Sequence, residues 1–282
     1  MMEQVKRVAV GNQTVGGDGK LFVMAGPCVL EETERVLNIG REMKRICESL
    51  GVTYIFKASF DKANRSSYTS FRGPGLTEGL RTLKYIKEEL GVPVVSDVHS
   101  IEQVEPAAEV LDILQIPAFL CRQTDLLEAA AKTGKCVNVK KGQFMAPEDM
   151  KNVVDKITYM GNENIMLTER GFCLGYHNLV VDMRSFPIMR SFGYPVVFDA
   201  THSVQLPGGA GTKSAGLRQY IGNLARAAAG SGIDGVFMEV HDNPAEALCD
   251  GPNMLYLSQV EGVLRDMLAI NDITRRSVST AK

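Results

Sequence analysis

Ionisable and polar side chains recur at the ends of short apolar segments along the whole chain. Lys57 follows VTYIF, Asp97 follows VPVVS, and Glu239 follows GVFM. Burying charged groups without partners is costly, so a shared location for many of them requires a ligand or ion pairing. Any single member could form an ordinary salt bridge, but the whole set predicts a polar site. The set is Cys28, Lys57, Ser59, Lys62, Asp97, His99, Gln115, Arg122, Lys140, Lys141, Glu169, Arg170, Asp199, His202, Glu239 and His241.

Cations form one chemical group within this set. Its members, at three different segment ends, are Lys57, Lys62, Lys140 and Arg170. Clustered cations repel one another, so their convergence predicts an anionic ligand that carries more than one charge. A phosphate together with a carboxylate would satisfy them, and a guanidinium can hold either group through two hydrogen bonds. Lys87 and Lys141 are expected instead to be solvated surface charges.

A thiol, an imidazole and two carboxylates form a second group, at Cys28, His202, Glu239 and Asp250. Mixed sulfur, nitrogen and oxygen ligands suit a borderline divalent ion such as Zn²⁺, Fe²⁺ or Mn²⁺. The sequence contains no local ligand motif, so two simpler interpretations stay open. Cys28 could be a small core residue, and His202 could be a hydrogen-bonded core histidine. No organic cofactor is expected.

The segment 206–216, LPGGAGTKSAG, is rich in glycine. It is similar to a phosphate-binding loop but lacks the G-x-x-x-x-G-K-[ST] spacing that such a loop requires. We therefore expect a mobile lid over the site rather than a nucleotide-binding loop.

Eight short apolar runs rich in β-branched residues would position these side chains. They are nearly continuous rather than alternating, which is typical of parallel strands covered on both faces. Amphipathic segments between them predict helices, for example 31–50 and 76–90, each followed by a glycine that favours helix termination. The predicted strands are 21–27, 52–59, 92–98, 112–119, 136–141, 164–169, 195–200 and 234–240.

Eight consecutive strand–helix units predict an α/β fold, a closed (β/α)8 TIM barrel, with a doubly wound open sheet as the alternative. Active sites of such barrels lie at the C-terminal ends of the strands, where the polar set falls. Closure would also bring together the four candidate metal ligands, which follow the first, seventh and eighth strands. We expect one domain over residues 1–282, with an N-terminal hairpin at 1–18 under the barrel and a flexible tail at 272–282.

Composition limits the classes of partner. The chain has 282 residues and a formal net charge of −2, so it has no global basic field for nucleic acid or an anionic membrane. No run approaches about 18 apolar residues, and the N-terminus has no signal-peptide pattern. The six scattered cysteines contain no CxxC pair, which suits a reducing compartment. We therefore expect a cytoplasmic protein.

Longer motifs resemble the 3-deoxy-D-manno-octulosonate 8-phosphate (KDO8P) synthase family. The resemblance covers residues 5–270, and the motifs follow the family order at all eight predicted strand ends. They are FKASFDKANRSS (56–67), FRGPG (71–75), SDVH (96–99), LQIPAFLCRQTDL (114–126), VNVKKGQF (137–144), ERG (169–171), FDATHSVQ (198–205) and MEVHDNP (238–244).

This resemblance implies a transferase that condenses phosphoenolpyruvate with D-arabinose 5-phosphate and water, in lipopolysaccharide (KDO) biosynthesis. The residues implied to hold phosphoenolpyruvate are Lys57, Ser59, Lys62, Gln115, Lys140 and Arg170. Those implied to hold arabinose 5-phosphate are Asn64, Arg65, Ser66 and Asp97, with Arg65 and Ser66 on the phosphate. Catalytic roles are implied for Lys57, Lys62, Asp97, Lys140 and His202. The family also implies a homotetramer whose sugar-phosphate site is completed near a subunit interface.

The family contains a metal-independent class, with Asn at the end of the first strand, and a metal-dependent class, with Cys. The element AGPCVLE gives Cys28 the metal-dependent pattern, and His202, Glu239 and Asp250 match the other ligands of that class. In contrast, Cys249-Asp250-Gly251 is similar to the metal-independent class. The strictness of the metal requirement and the native metal therefore stay open.

Two alternative functions remain at this point. A related synthase that uses erythrose 4-phosphate resembles the chain at Lys140 and Arg170. It typically carries a Lys-Pro-Arg-Thr element where this chain reads KANRSS (62–67). The other alternative is a non-catalytic phosphosugar-binding barrel, although a sensor needs neither the full cation cluster nor four metal ligands.

Overall fold

The fold is a closed barrel of parallel strands surrounded by helices. The computed structural model describes residues 4–17, 20–65, 67–210 and 213–279, so Ser66 and residues 211–212 lie outside the described residues. In chain order the strands are β1 (Arg7–Val10), β2 (Gln13–Gly16), β3 (Phe22–Gly26), β4 (Thr53–Lys57), β5 (Val94–Asp97), β6 (Ile113–Ile116), β7 (Cys136–Lys140), β8 (Ile165–Glu169), β9 (Val196–Asp199), β10 (Gln205–Ala210), β11 (Lys213–Gly216), β12 (Gly235–His241) and β13 (Leu255–Tyr256).

Strand β12 closes the barrel. It pairs in parallel with β3 on one side and with β9 on the other, so that Gly235 lies opposite both Phe22 and Val197. Glycine is required at this position, because a Cβ atom would lie 2.5 Å from the Phe22 ring. The closure excludes the doubly wound sheet and confirms all eight predicted strands, with bounds that differ by at most three residues.

Helices follow the barrel strands and cover their outer faces. They are α1 (Thr33–Leu50), α2 (Leu76–Leu90), α3 (Ile101–Ala108), α4 (Thr124–Lys132), α5 (Met150–Tyr159), α6 (Ser185–Arg190), α7 (Ile221–Gly230) and α8 (Leu257–Ser279). Helices α1 and α2 end at Gly51 and Gly91, both in the left-handed conformation, as the sequence predicts. The sequence does not single out helices α4 and α6.

The antiparallel hairpin β1–β2 closes the N-terminal end of the barrel, as predicted. Val8, Val10 and Val15 are buried and pack in one cluster with Phe22 and Met24 from the barrel interior. This apolar plug keeps water out of the lower half of the barrel. The polar chemistry is thereby confined to the opposite end.

Two segments have secondary structure that the sequence does not predict, while their predicted mobility stays a prediction. The segment 206–216 contains the antiparallel strands β10 and β11. Residues 272–279 of the predicted flexible tail continue helix α8, where Arg275 donates from Nη2 to the Ile233 carbonyl at 3.0 Å and from Nε to Asn271 at 2.8 Å. The first contact joins the helix to a residue just before the closing barrel strand and the second lies within the helix, and both stabilise a helical conformation of this polar segment.

Among the described residues, no helix combines the length and the apolar character needed to cross a membrane.

Candidate active site

A cavity of about 470 Å³ opens at the C-terminal end of the barrel strands. Predicted site residues line it, and they arrive from opposite ends of the sequence. They are Lys57, Lys62, Asn64, Arg65, Asp97, Lys140, Arg170, His202 and Asp250. The barrel therefore brings together most of the side chains that the sequence selects.

Four further predicted residues lie beneath the cavity floor rather than on its wall. Cys28, Ser59, Gln115 and Glu239 are fully buried. Each contacts a wall residue: Lys57, for example, donates to the Cys28 carbonyl at 3.0 Å and to Glu239 Oε1 at 2.7 Å. Ser66, the remaining predicted residue, lies outside the described residues.

A chain of side-chain hydrogen bonds runs along neighbouring strands from β8 to Ser59, which follows β4. Thr168 donates to Asn138 at 2.8 Å, Asn138 to Gln115 at 2.9 Å, and Gln115 to Asp97 Oδ1 at 2.7 Å. Ser59 donates to the second Asp97 oxygen, Oδ2, at 2.6 Å. Both oxygens of this carboxylate are therefore held by neutral donors, which fixes its orientation toward the cavity.

The cations of the cavity are balanced by buried carboxylates. Glu239 accepts from Lys57 and also lies 3.4 Å from Lys62 Nζ, while Lys140 Nζ lies 2.6 Å from Asp199 Oδ2. The Phe237 ring lies under both Lys57 and Lys140, with the Lys140 ammonium 3.8 Å from the ring centroid. Such contacts stabilise desolvated ammonium groups.

Arg170 reaches the same cavity from the end of β8. Its Nη2 donates to the His202 carbonyl at 3.2 Å and to Gln205 Oε1 at 2.9 Å. Its buried Nε has no hydrogen-bond partner among the described residues. The guanidinium therefore retains donor capacity for a ligand oxygen.

Burial and neighbouring charges compete in setting the ionisation of this cavity. Burial lowers the pKa of Lys140 and of Arg170, because it disfavours their charged forms. Burial alone would raise the pKa of Asp97, but Lys62, Lys57 and Lys140 outweigh it and hold that pKa below its usual range. A multiply charged anion would favour the charged form of these cations.

A sulfur, an imidazole and two carboxylates converge beside the cations. Cys28 Sγ lies 3.8 Å from Asp250 Oδ2, and His202 Nε2 lies 3.6 Å from Glu239 Oε1 and 3.9 Å from Asp250 Oδ2. Asp199 Oδ2 lies 2.8 Å from His202 Nδ1, which leaves Nε2 directed at the carboxylates. A carboxylate on one imidazole nitrogen is the usual support for metal binding through the other.

These residues fit a divalent metal ion. Cys28, Cys249 and Asp250 form one group of candidate ligand atoms within 4.8 Å of one another, and His202, Glu239 and Asp250 form a second. Glu239 Oε2 and Asp250 Oδ1 are buried without a hydrogen-bond partner among the described residues. Arg65 Nη1 lies 3.7 Å from Asp250 Oδ1, beyond hydrogen-bond distance, so a bound metal ion would satisfy both acceptors more fully.

Asp250 has a backbone conformation that serves this arrangement. Within the part of the chain that the structure describes, Asp250 is the one residue other than glycine whose φ angle is positive, at 47°. Asp tolerates this left-handed conformation better than most residues. The next residue must be glycine, because a Cβ atom on Gly251 would lie 2.4 Å from the Pro244 carbonyl oxygen.

Sequence reasoning misses part of the cavity wall. The wall residues for which the sequence predicts no role are Ala63, Pro117, Ala118, Phe119, Leu120, Gln143, Gln205 and Cys249, although all but Cys249 lie within motifs of the family resemblance. Most are uncharged, so the only signal available was their position in loops that follow barrel strands.

The surface location predicted for Lys141 is wrong. Its side chain is 1% exposed, and its Nζ lies 3.5 Å from Glu169 Oε1 and 3.1 Å from the Met145 carbonyl. Consecutive residues at a strand end point in opposite directions, so Lys140 enters the cavity while Lys141 is buried behind it. Lys87 is half-buried and is paired with Asp112 at 2.8 Å.

The chain is similar to known proteins over nearly its whole length. The model of the DAHP synthetase I family matches residues 4–275. A 2-dehydro-3-deoxyphosphooctonate aldolase from Geobacter sp. (strain M21) is 62% identical over 271 residues, which cover 96% of this chain and 99% of the relative. The protein of the same name from Trichlorobacter lovleyi is 61% identical over 270 residues, with 96% and 99% covered. The chain therefore belongs to the DAHP synthetase I family, in which its near-full-length relatives are named 2-dehydro-3-deoxyphosphooctonate aldolase.

Proposed function

We propose that this protein condenses phosphoenolpyruvate with D-arabinose 5-phosphate and water, giving 3-deoxy-D-manno-octulosonate 8-phosphate and inorganic phosphate. This is the KDO8P synthase activity that the name of the relatives denotes. The observation that carries the proposal is a single cavity whose wall contains both cations and polar groups. Phosphoenolpyruvate needs the cations for its phosphate and carboxylate, and a phosphosugar needs both kinds of group.

Phosphoenolpyruvate is the ligand proposed for the cationic half of the cavity. Lys57, Lys62, Lys140 and Arg170 would contact its phosphate and carboxylate, which together carry more negative charge than any one cation offsets. Arg170 Nε supports this assignment, because it has no hydrogen-bond partner in the described part of the chain. Ser59 and Gln115 are also assigned to this substrate. Both donate hydrogen bonds to the Asp97 carboxylate, so they would support the substrate site through Asp97.

Arabinose 5-phosphate is the ligand proposed for the outer half of the cavity. Asn64, Arg65 and Asp97 line it, and Ser66 follows Arg65 directly in the sequence. Arg65 and Ser66 would hold the sugar phosphate, which places the aldehyde deeper, toward Asp97. Asp97 is ionised at neutral pH because nearby lysines hold its pKa low, so it can accept a hydrogen bond from a sugar hydroxyl.

The proposed reaction forms a carbon–carbon bond between C3 of phosphoenolpyruvate and the aldehyde carbon of the sugar. Water adds at C2, and the resulting hemiketal phosphate releases inorganic phosphate by cleavage of its C–O bond. Lys57, Lys62 and Lys140 would contribute by positioning the enol and by stabilising the multiply charged intermediate. Glu239 and Asp199 would keep the Lys62 and Lys140 ammonium groups in position for this role.

A divalent metal ion is part of the proposal, held by Cys28, His202, Glu239 and Asp250. When bound, such an ion polarises an oxygen of the substrate or of water. Residues of the chain would complete the site: Asp199 orients the His202 imidazole, and Lys57 holds Glu239. His202 has both nitrogens directed at carboxylates, so its proposed catalytic role is mainly to position the ion.

The finer parts of the proposal concern assembly and cellular role. We place the protein in the cytoplasm, where both phosphorylated substrates are retained, and in lipopolysaccharide biosynthesis. A homotetramer with the sugar-phosphate site near an interface fits the exposed Phe119, which is 56% exposed at the cavity rim. Light scattering on the purified protein would test the subunit number.

Phosphate release tests the function directly. The purified protein is mixed with phosphoenolpyruvate and either arabinose 5-phosphate or erythrose 4-phosphate, with and without chelator. We expect phosphate release with the five-carbon sugar and its loss in chelator. Faster release with the four-carbon sugar would assign the chain to the related synthase. The absence of release with both sugars in metal-supplemented buffer would support a non-catalytic binding protein instead.

A further inference from the structure

We infer that Cys249 supplies a second sulfur ligand to the metal of the proposed active site, beside Cys28. The inference rests on the metal site of the proposed function and defines it further: the ion would be bound by two thiolates, one imidazole and carboxylate oxygen. Nothing in the sequence selects Cys249 for this role, because it precedes a candidate ligand without forming a CxxC pair.

The positions of the donor atoms carry the first part of the argument. The sulfur atoms of Cys28 and Cys249 and an oxygen of Asp250 all lie within 4.8 Å of one another. Zinc–sulfur bonds of about 2.3 Å in a tetrahedral site place two sulfurs roughly 3.8 Å apart. Small side-chain adjustments would therefore let both sulfurs bind one ion. Asp250 also belongs to the group with His202 and Glu239, so a single ion can draw on both groups.

The local backbone conformation explains how the consecutive residues Cys249 and Asp250 could bind the same ion. Neighbouring side chains of an extended segment point in opposite directions, so adjacent ligands would ordinarily be separated. The left-handed conformation of Asp250, with φ at 47°, breaks this alternation. Cys249 and Asp250 can then face the same ion, and Asp250 Oδ1 is a buried acceptor without a hydrogen-bond partner in the described structure.

The pattern of charges supports the same conclusion. Lys57 donates to the proposed ligand Glu239 at 2.7 Å, and Arg65 Nη1 lies at the same distance, 2.7 Å, from Cys249 Sγ. Each of these two proposed ligands thus has a cation beside it, and Arg65 Nη1 also lies 3.7 Å from Asp250 Oδ1. Residues that hold a metal ligand through a hydrogen bond commonly orient it, and a guanidinium beside a sulfur leaves further lone pairs of that sulfur for the metal.

A two-sulfur site makes a specific chemical prediction about the ion. Thiolate ligands favour thiophilic ions such as Zn²⁺, Cd²⁺ and Fe²⁺ over Mn²⁺ and Mg²⁺, which prefer oxygen. The site should therefore be more selective for thiophilic ions than one with Cys28 alone. Cys249→Ser should reduce the ratio of Cd²⁺ to Mn²⁺ affinity.

Cobalt substitution counts the sulfur ligands without relying on activity. The full-length protein is stripped of metal, loaded with one equivalent of Co²⁺, and its sulfur-to-cobalt charge-transfer absorption in the near ultraviolet is recorded. We expect the band to fall to about half in both Cys28→Ser and Cys249→Ser and to vanish in the double variant, since its intensity scales with the number of bound thiolates. Cys173→Ser is the matched control, because Cys173 is an exposed thiol away from the ligand groups, and its band should equal that of the wild type.

The outcomes separate this inference from the proposal on which it rests. A full-intensity band in folded Cys249→Ser would overturn the second sulfur ligand and leave the Cys28 site intact. The absence of any band in the wild type would overturn the metal site itself. If Cys249→Ser does not fold, ¹¹³Cd magnetic resonance on the wild-type protein decides, because the chemical shift distinguishes one sulfur ligand from two. A one-sulfur shift would refute the inference.

Discussion

Individual side chains in this site owe their chemistry to partners that lie far away in the sequence. Cys28 is a buried thiol whose pKa is raised, mainly by burial and then by Cys249 and Glu239 nearby. A thiol in such surroundings stays protonated unless a cation binds it, so its natural role is that of a ligand rather than a nucleophile. Arg65 similarly contacts Cys249 and Asp250, which lie near the other end of the chain.

Replacing Cys28 removes one proposed ligand atom, its sulfur, and so tests the metal site. Cys28→Ala should lower metal-stimulated phosphate release by about 100-fold, because losing a ligand weakens metal binding at least as much as losing its outer-shell support. The far-ultraviolet circular dichroism should be unchanged, since only one sulfur is removed. Cys173→Ala, at an exposed thiol, is the control. Full activity of Cys28→Ala in the presence of chelator would contradict the metal assignment.

Replacing Arg65 tests the division of the cavity between two substrates. Arg65→Ala should raise the KM for arabinose 5-phosphate by about 10- to 100-fold, the loss expected when one charge-assisted contact to a phosphate is removed. Steady-state kinetics with each substrate varied in turn provides the measurement. Arg81→Ala changes an arginine whose side chain is 78% exposed on α2 and should leave both constants unaltered. A rise confined to the phosphoenolpyruvate KM would mean that the two halves have been exchanged.

At the scale of elements, adjacent strands fix the floor of the cavity through a shared layer of hydrogen bonds. Thr168, Asn138, Gln115, Asp97 and Ser59 come from five successive barrel elements, yet they form one continuous chain. Parallel pairing sets the strand register, and the register determines which side chains share a layer. A shift of one residue in any strand would turn its member of this chain to the outside.

The buried Asp97 in this layer makes stability depend on pH. Its pKa in the folded protein lies below the ordinary value of about 3.9, so the unfolded chain binds more protons at acid pH. The stabilisation is therefore fully present above about pH 4 and is lost as the pH falls toward the lowered pKa. The free energy of unfolding, measured by denaturant titration from pH 7 to pH 3, should decline less steeply in Asp97→Asn than in the wild type.

An exposed carboxylate supplies the control for this titration. Asp266 has a side chain that is 55% exposed and pairs with Arg226 on the outer surface. Asp266→Asn should follow the wild-type pH dependence. Parallel curves for the wild type and Asp97→Asn would show that the lysines around Asp97 do not favour its ionised form.

At the scale of the whole molecule, apolar packing that stabilises the fold and ionisable groups that form the site lie at opposite ends of the barrel axis. The hairpin β1–β2 seals one end with apolar contacts, and the ionisable groups occupy the other. The metal ligands come from both ends of the chain, because Cys28 follows β3 while Glu239 lies on β12, and these strands pair to close the barrel. A bound ion would thus tie the closing strands together.

Metal binding should therefore stabilise the entire barrel. At a free metal concentration about a hundred times the dissociation constant, linkage adds about 2.7 kcal/mol to the free energy of unfolding. The apparent melting temperature should rise by about 5 °C on adding Zn²⁺ to the metal-free protein, and chelator should reverse the rise. Cys28→Ala should lose most of this shift. An equal shift in that variant would place the stabilising ion elsewhere.

The sequence by itself determined the eight strands, their parallel character and the chemical types at their ends. These features follow from local patterns, because apolar runs, glycine stops and strand-end charges are read within a few residues of one another. The family resemblance added the candidate ligands and the substrates. Local patterns did not reveal that Lys141 is buried behind Lys140 and lies near Glu169, because that contact depends on how the strands pack.

Only the tertiary structure decided which of these groups meet. The wall formed by Pro117, Phe119 and Gln143 carries no charge pattern, so it appears only when loops after different strands surround one cavity. The continuation of α8 through Arg275 depends on contacts with the barrel, which composition does not reveal. Cys249 joins Cys28 through the left-handed turn at Asp250 and the closure of β12 on β3, because distances between residues remote in sequence are set by the fold.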